Sequence, residues 1–124
     1  MNRQVRRPGR RITERTAEQV ADAMFALSTP SRVQILGCLL DGPHSVSELI
    51  DALEIEQSAI SHQLRILRDQ TLVRVERVGR QRVYTLHDEY VAALLHDALS
   101  HVERRERQRK GLFARSSIRR GAAG

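Results

Sequence analysis

Gln57, Ser58, Ser61, His62, Gln63 and Arg65 follow one another closely in the stretch VSELIDALEIEQSAISHQLRILRDQTL, residues 46–72. All six carry hydrogen-bonding side chains. Ile60, Leu64 and Leu67 recur among them at i, i+4 and i+7, the spacing of an apolar helix face. The pattern predicts a helix from about Gln57 to Arg68, with one face held by a protein core and the other offering Ser, Gln, His and Arg. Base edges in the DNA major groove present the donors and acceptors that such side chains can meet.

The residues before this helix must position it. Ser45 and Glu48 have capping-box spacing, so a short helix is expected from Val46 to about Leu53. The break at 54–56 is then the turn of a helix-turn-helix. Upstream, Val20, Ala21, Met24 and Leu27 give a helix over about Thr13–Leu27. Ser28-Thr29-Pro30 ends it, with Thr29 as N-cap and Pro30 in the first turn of a second helix, about Ser31–Leu40. That helix is apolar over most of its girth and belongs at the centre. Cys38 within it reads as a packing residue. Asp41-Gly42-Pro43 breaks it.

Downstream, LVRVERV (72–78) alternates apolar and polar, and Arg82–Leu86 supplies a second strand beyond the turn Gly79-Arg80-Gln81. This hairpin reads as a wing with Arg80 at its tip, beside Arg74, Arg77 and Arg82. A cationic tip suits a minor groove or flanking phosphates, although a solvated hairpin carries arginines too. Asp88 can cap a long last helix, Glu89 to about Arg109, with the apolar stripe Val91, Leu94, Leu95, Ala98, Leu99 and Val102. The first and last helices expose more apolar surface than one small domain covers, which points to a symmetric homodimer through them. The fold class is thus mainly α with a small β-hairpin.

At 124 residues the chain allows one domain. Three parts are expected: a basic flexible arm over 1–12, the DNA-binding and dimerisation domain over 13–109, and a basic disordered tail over 110–124. The net charge of +6 is unevenly placed: residues 1–11 carry +5 and residues 104–124 carry +7, leaving the middle at −6. Within that acidic middle, Arg65 to Arg82 form a basic strip suited to a phosphate backbone. The arms either join that contact or act as solubilising tails. No apolar run approaches a membrane span, and no apolar segment follows the basic N-terminus as in a secretory signal. A single cysteine fits a reducing cytoplasm.

The signposts LSTPSRVQIL, EQSAISHQLRILRDQTLV and GRQRVYTL resemble the ArsR/SmtB family of winged helix-turn-helix repressors, over about residues 16–104, and most of all its nickel- and cobalt-sensing branch. The resemblance implies three helices, a reading helix, two strands and a last helix. It also implies a homodimer on a pseudo-palindromic double-stranded operator, released by an inducer. Bases would be approached by Gln57, Ser58, Ser61 and His62, and the flank by the wing.

The metal site that the resemblance implies spans the last-helix pair and falls here on Asp88, Tyr90, His101 and Arg104. Only Asp88 and His101 of these suit nickel, cobalt or zinc. His87 beside Asp88 offers a replacement, giving a rebuilt set of Asp88, His87 and His101 across the dimer. The competing reading has Asp88 only capping the helix and the histidines solvated. The family's cysteine-bearing variant places thiols on the third helix, where SVSELIDAL has none. A small partner protein is left open as the source of the signal.

Two other functions compete. A winged domain kept for protein interaction, or for non-specific DNA wrapping without metal sensing, needs no polar reading face, yet one is present. An enzyme needs a catalytic motif, and no phosphate loop, HExxH or CxxC occurs.

Overall fold

The structure is a computed structural model that describes residues 11–123, with side chains described as far as Arg115. The expected arm at 1–12 therefore lies almost wholly outside the described residues.

Helix α1 (Glu14–Ala26) starts at Thr13, whose hydroxyl accepts from the Thr16 amide at 3.1 Å. It stops where Ser28 folds back on the Phe25 carbonyl at 2.6 Å and Pro30 begins α2 (Pro30–Leu40). Thr29 holds the N-cap position of α2 in extended backbone, but its side chain makes no capping bond; Pro30 already removes one of the amides to be satisfied. The two helices meet at 85°. Among the described residues, no single helix is long and apolar enough to cross a membrane.

After α2 the chain forms a feature with no signature in the sequence. His44–Ser45 is a two-residue strand, β1, paired antiparallel with the second wing strand through His44↔Tyr84 and Ser45↔Val83. Helix α3 (Val46–Leu53) follows at once, closed by the expected capping box: Glu48 N donates to Ser45 Oγ at 3.2 Å, and Ser45 N to Glu48 Oε1 at 2.8 Å. These bonds hold the Glu48 carboxyl below its ordinary range. Glu54 ends α3 in left-handed backbone at φ 54°, making the sharp turn into α4 (Gln57–Asp69).

Helix α4 ends in a Schellman arrangement. Leu72 N donates to Leu67 O at 2.9 Å and Thr71 N to Arg68 O at 3.0 Å, with Thr71 left-handed at φ 59°. Strands β2 (Val73–Val78) and β3 (Gln81–Leu86) then form the wing, and the sheet order is β1-β3-β2. Val78 pairs with Gln81 across Gly79-Arg80. Gly79 takes φ 62°, the backbone that a tight two-residue hairpin turn needs at its first position.

The core is aliphatic, as the composition demands: Ile35, Leu36, Leu39, Leu49, Ile60, Leu64, Leu67, Leu72 and Val73, closed by Tyr84, Val91 and Leu95. Cys38 packs at its edge, half-buried. Burial, with the Asp41 charge second, raises its thiol above the usual value, which disfavours the thiolate.

Helix α5 departs from expectation. It runs from Glu89 to Ala123, 35 residues, and does not end near Arg109. Residues 110–123, expected to be a disordered tail, continue the helix. Lack of apolar periodicity there removes a packing face, but Arg, Lys, Leu and Ala keep high helix propensity. Among its residues with described side chains only Val91 and Leu95 are buried, so most of that part of α5 stands clear of the body that it starts from. At 1.5 Å per residue it is roughly 50 Å long.

Candidate nucleic-acid interface

The wing register explains how a binding groove arises. Val73↔Leu86 and Val75↔Tyr84 point to the core on one face of the hairpin. The next pair on that same face is Arg77↔Arg82, beyond the end of the core. Those two side chains reach into a groove of about 550 Å³ between the wing and α4. Across the groove, α4 presents Gln57, Ser61, Arg65 and Arg68, a continuous stripe at i, i+4, i+8 and i+11. Arg80 at the hairpin turn closes one end, and Ser45 and Ser47 at the start of α3 contribute from beneath. Strand β1 is what brings the α3 terminus there.

Five arginines thus line one groove with a single carboxylate, Asp69. Among the described residues none of the five is in an ion pair; the two ion pairs are His87–Asp88 and Glu106–Arg109. Like charges held this close in a folded domain call for an anionic partner, and a row of phosphates supplies one.

The sequence-derived site residues divide into three groups. Gln57, Ser61, Arg65 and Arg80 line the groove. Ser58 and His62 are exposed on α4 but do not line the groove, and Ser58 Oγ donates to Glu56 Oε1 at 3.0 Å. Gln63 departs from its expected place on the reading face. It is half-buried against α2, and its Oε1 accepts from Arg32 Nη1 at 2.9 Å. Arg68, Arg77 and Arg82 line the groove too, beyond the residues expected from the sequence. Their signal was present: Arg68 lies seven residues beyond Ser61, and Arg77 and Arg82 are in phase with the core positions Val75 and Tyr84.

The proposed metal residues are not gathered in one chain. Asp88 Oδ1 accepts from the amides of Tyr90 at 3.0 Å and Val91 at 3.1 Å, so it caps α5 as expected. Its Oδ2 meets His87 Nδ1 at 3.0 Å. The His87 bond, then the Val91 and Tyr90 amides, hold the Asp88 carboxyl below its ordinary range. His101 stands thirteen residues along the same helix from Asp88, roughly 20 Å away. Among the described residues, no three His, Cys, Asp or Glu side chains cluster as metal ligands would.

A turn-linked helix pair, flanked by a three-stranded wing and facing an arginine-lined groove, defines a winged helix-turn-helix DNA-binding protein. The chain belongs to the arsR family of bacterial regulatory proteins, whose family description matches residues 29–75. It is 48% identical over 97 residues to the HTH-type transcriptional regulator NmtR of Mycobacterium tuberculosis, across 78% of this chain and 81% of that protein. It is 40% identical over 87 residues to a transcriptional repressor SmtB homolog of Synechocystis, across 70% of this chain and 66% of that one. The solution structure of apo-NmtR superimposes with a TM-score of 0.66 at 47% identity, covering 80% of this chain and 83% of the other. The protein is therefore a transcriptional regulator of the ArsR/SmtB type and not an enzyme.

Proposed function

We propose that this regulator is a cytoplasmic homodimeric repressor that binds a pseudo-palindromic operator through its two α4–wing grooves. The observation that carries the DNA reading is the groove itself, where a short polar stripe (Gln57, Ser61) continues into arginines on both walls. Ser and Gln suit base edges, while Arg65, Arg68, Arg77, Arg80 and Arg82 suit phosphates or the flanking minor groove. Ser58 and His62 extend the exposed front of α4 and belong to the same proposed contact.

The exposure of α1 supports the dimer. Ala26 is the single buried residue of that helix, while Val20, Met24 and Phe25 lie 46%, 49% and 73% exposed. A helix this short is marginal without packing. On α5, Leu99 and Val102 are likewise exposed. A second copy, pairing α1 and α5 with their counterparts, covers these surfaces and sets the two reading helices for half-sites about 34 Å apart. Val20→Glu with Met24→Glu places charge on that face. The expected result is a folded monomer in sedimentation and loss of operator binding; a dimer that persists would refute the pairing.

The inducer reading is narrower. The residues do not fit the four-ligand set that the family resemblance implies, because Tyr90 and Arg104 occupy two of its positions. The set that this chain offers instead is His87 and Asp88 of one subunit with His101 of the other. For both residues to ligate one ion, the metal must take the place of the proton between His87 Nδ1 and Asp88 Oδ2, two atoms already held 3.0 Å apart. Nickel, cobalt or zinc suits such donors. Titration of the wild type and His101→Ala with each metal tests it, since equal stoichiometry and affinity remove His101 from any site.

A further inference from the structure

Arg32 is a buried cation, 6% exposed, at the start of α2. Its Nε donates to the Ala26 carbonyl, its Nη2 to the Phe25 carbonyl at 3.1 Å, and its Nη1 to Gln63 Oε1 at 2.9 Å. Among the described residues no carboxylate pairs with it. A buried charge without a counter-ion needs compensation. Here it comes from the C-terminal end of α1, whose last carbonyls carry the negative pole of the helix, and from the Gln63 amide. The planar fork of a guanidinium can serve two helices at once, which a lysine ammonium cannot match.

This side chain joins two places that otherwise have little in common. Phe25 offers Arg32 its carbonyl while its ring is 73% exposed on the face assigned to the second subunit. Gln63 lies on α4, whose other flank carries Gln57, Ser61 and Arg65 into the groove. Helix α1 has few other attachments to the body of its own chain, since only Ala26 of it is buried.

We propose that Arg32 and Gln63 are positioning residues for DNA reading: they fix α4 against the end of α1, so that subunit pairing and operator binding are energetically linked. The proposal rests on the dimer reading above. Linkage is reciprocal, so whatever loosens this junction weakens both equilibria.

The test uses the full chain and a duplex selected by the wild type from a random-sequence pool. Gln63→Met keeps the length and removes the acceptor. It is expected to raise the dimer dissociation constant and to weaken duplex binding, each by about five- to tenfold, with the selected sequence and the salt dependence unchanged. Arg32→Lys weakens both as well, and adding Gln63→Met to it has less effect than Gln63→Met alone. Three results overturn the proposal. An altered base preference with an unchanged dimer constant makes Gln63 a base reader. A lower Tm with both constants within about twofold of wild type leaves the junction a packing feature with no linkage to report. A wild type that binds the duplex as a monomer removes the dimer reading, and the linkage with it.

Discussion

Arg77 and Arg82 stand directly opposite one another in the β2–β3 register, on the face of the wing that borders α4. Like charges in a cross-strand pair destabilise a hairpin by a few tenths to about 1 kcal/mol. The wing is therefore under mild electrostatic strain in the free protein, and a polyanion relieves it. Arg82→Gln should raise thermal stability slightly while weakening DNA binding. It should also reduce the slope of log K against log salt by about one unit, because one phosphate contact is lost. Unfolding curves and binding isotherms over a salt series check both halves.

Gln57 should behave differently from the arginines. Its amide is the groove's best candidate for paired hydrogen bonds to an adenine edge. Gln57→Ala is expected to cost about 1–3 kcal/mol on the preferred site and to relax preference at one base pair per half-site. The salt slope should stay as in the wild type. Competition binding against a panel of single-base operator variants measures this, and a uniform loss over all variants would mean that Gln57 only fills space.

Thr71 is a β-branched residue in left-handed backbone, an uncommon and costly conformation. Its amide bond to Arg68 O and the Leu72 bond to Leu67 O require that geometry. Thr71→Gly keeps both bonds and removes the steric clash, so stability should rise by about 1 kcal/mol. Thr71→Val, which keeps the branching, should show no such gain. Denaturant midpoints compare the two.

Asp88 sets a pH response at the start of α5. Its carboxyl is held below the ordinary range by the His87 bond and the Val91 and Tyr90 amides. A group with a lowered folded-state value contributes its stabilisation in full above its unfolded value, near ~4, and loses it as pH falls through the lower one. Asp88→Ala should therefore lower Tm by a few degrees at neutral pH. The gap to wild type should narrow once both are below that acid range. A constant gap from neutral to strongly acidic pH would assign the effect to something other than the charged cap.

Much of this architecture was legible in the chain because local chemistry decided it. The capping box Ser45/Glu48, the Pro30 start, the Asp88 cap and the two-residue alternation of the wing each act between neighbours, and each appears where expected. Strand β1 was not legible, because two residues beside Pro43 have no periodicity of their own and become a strand only by pairing with Val83 and Tyr84. The length of α5 was not legible either, because residues 110–123 carry no apolar stripe yet continue the helix.

The division at the site follows the same logic. By itself the sequence determined that α4 has an apolar side and a polar side, since 3.6-residue periodicity is a property of one helix. Which polar residues face the wing was decided only by tertiary packing, since that depends on how α4 is rotated against α2 and the sheet. Packing turned Gln63 inward to Arg32 and brought Arg68, Arg77 and Arg82 into one groove with Ser61.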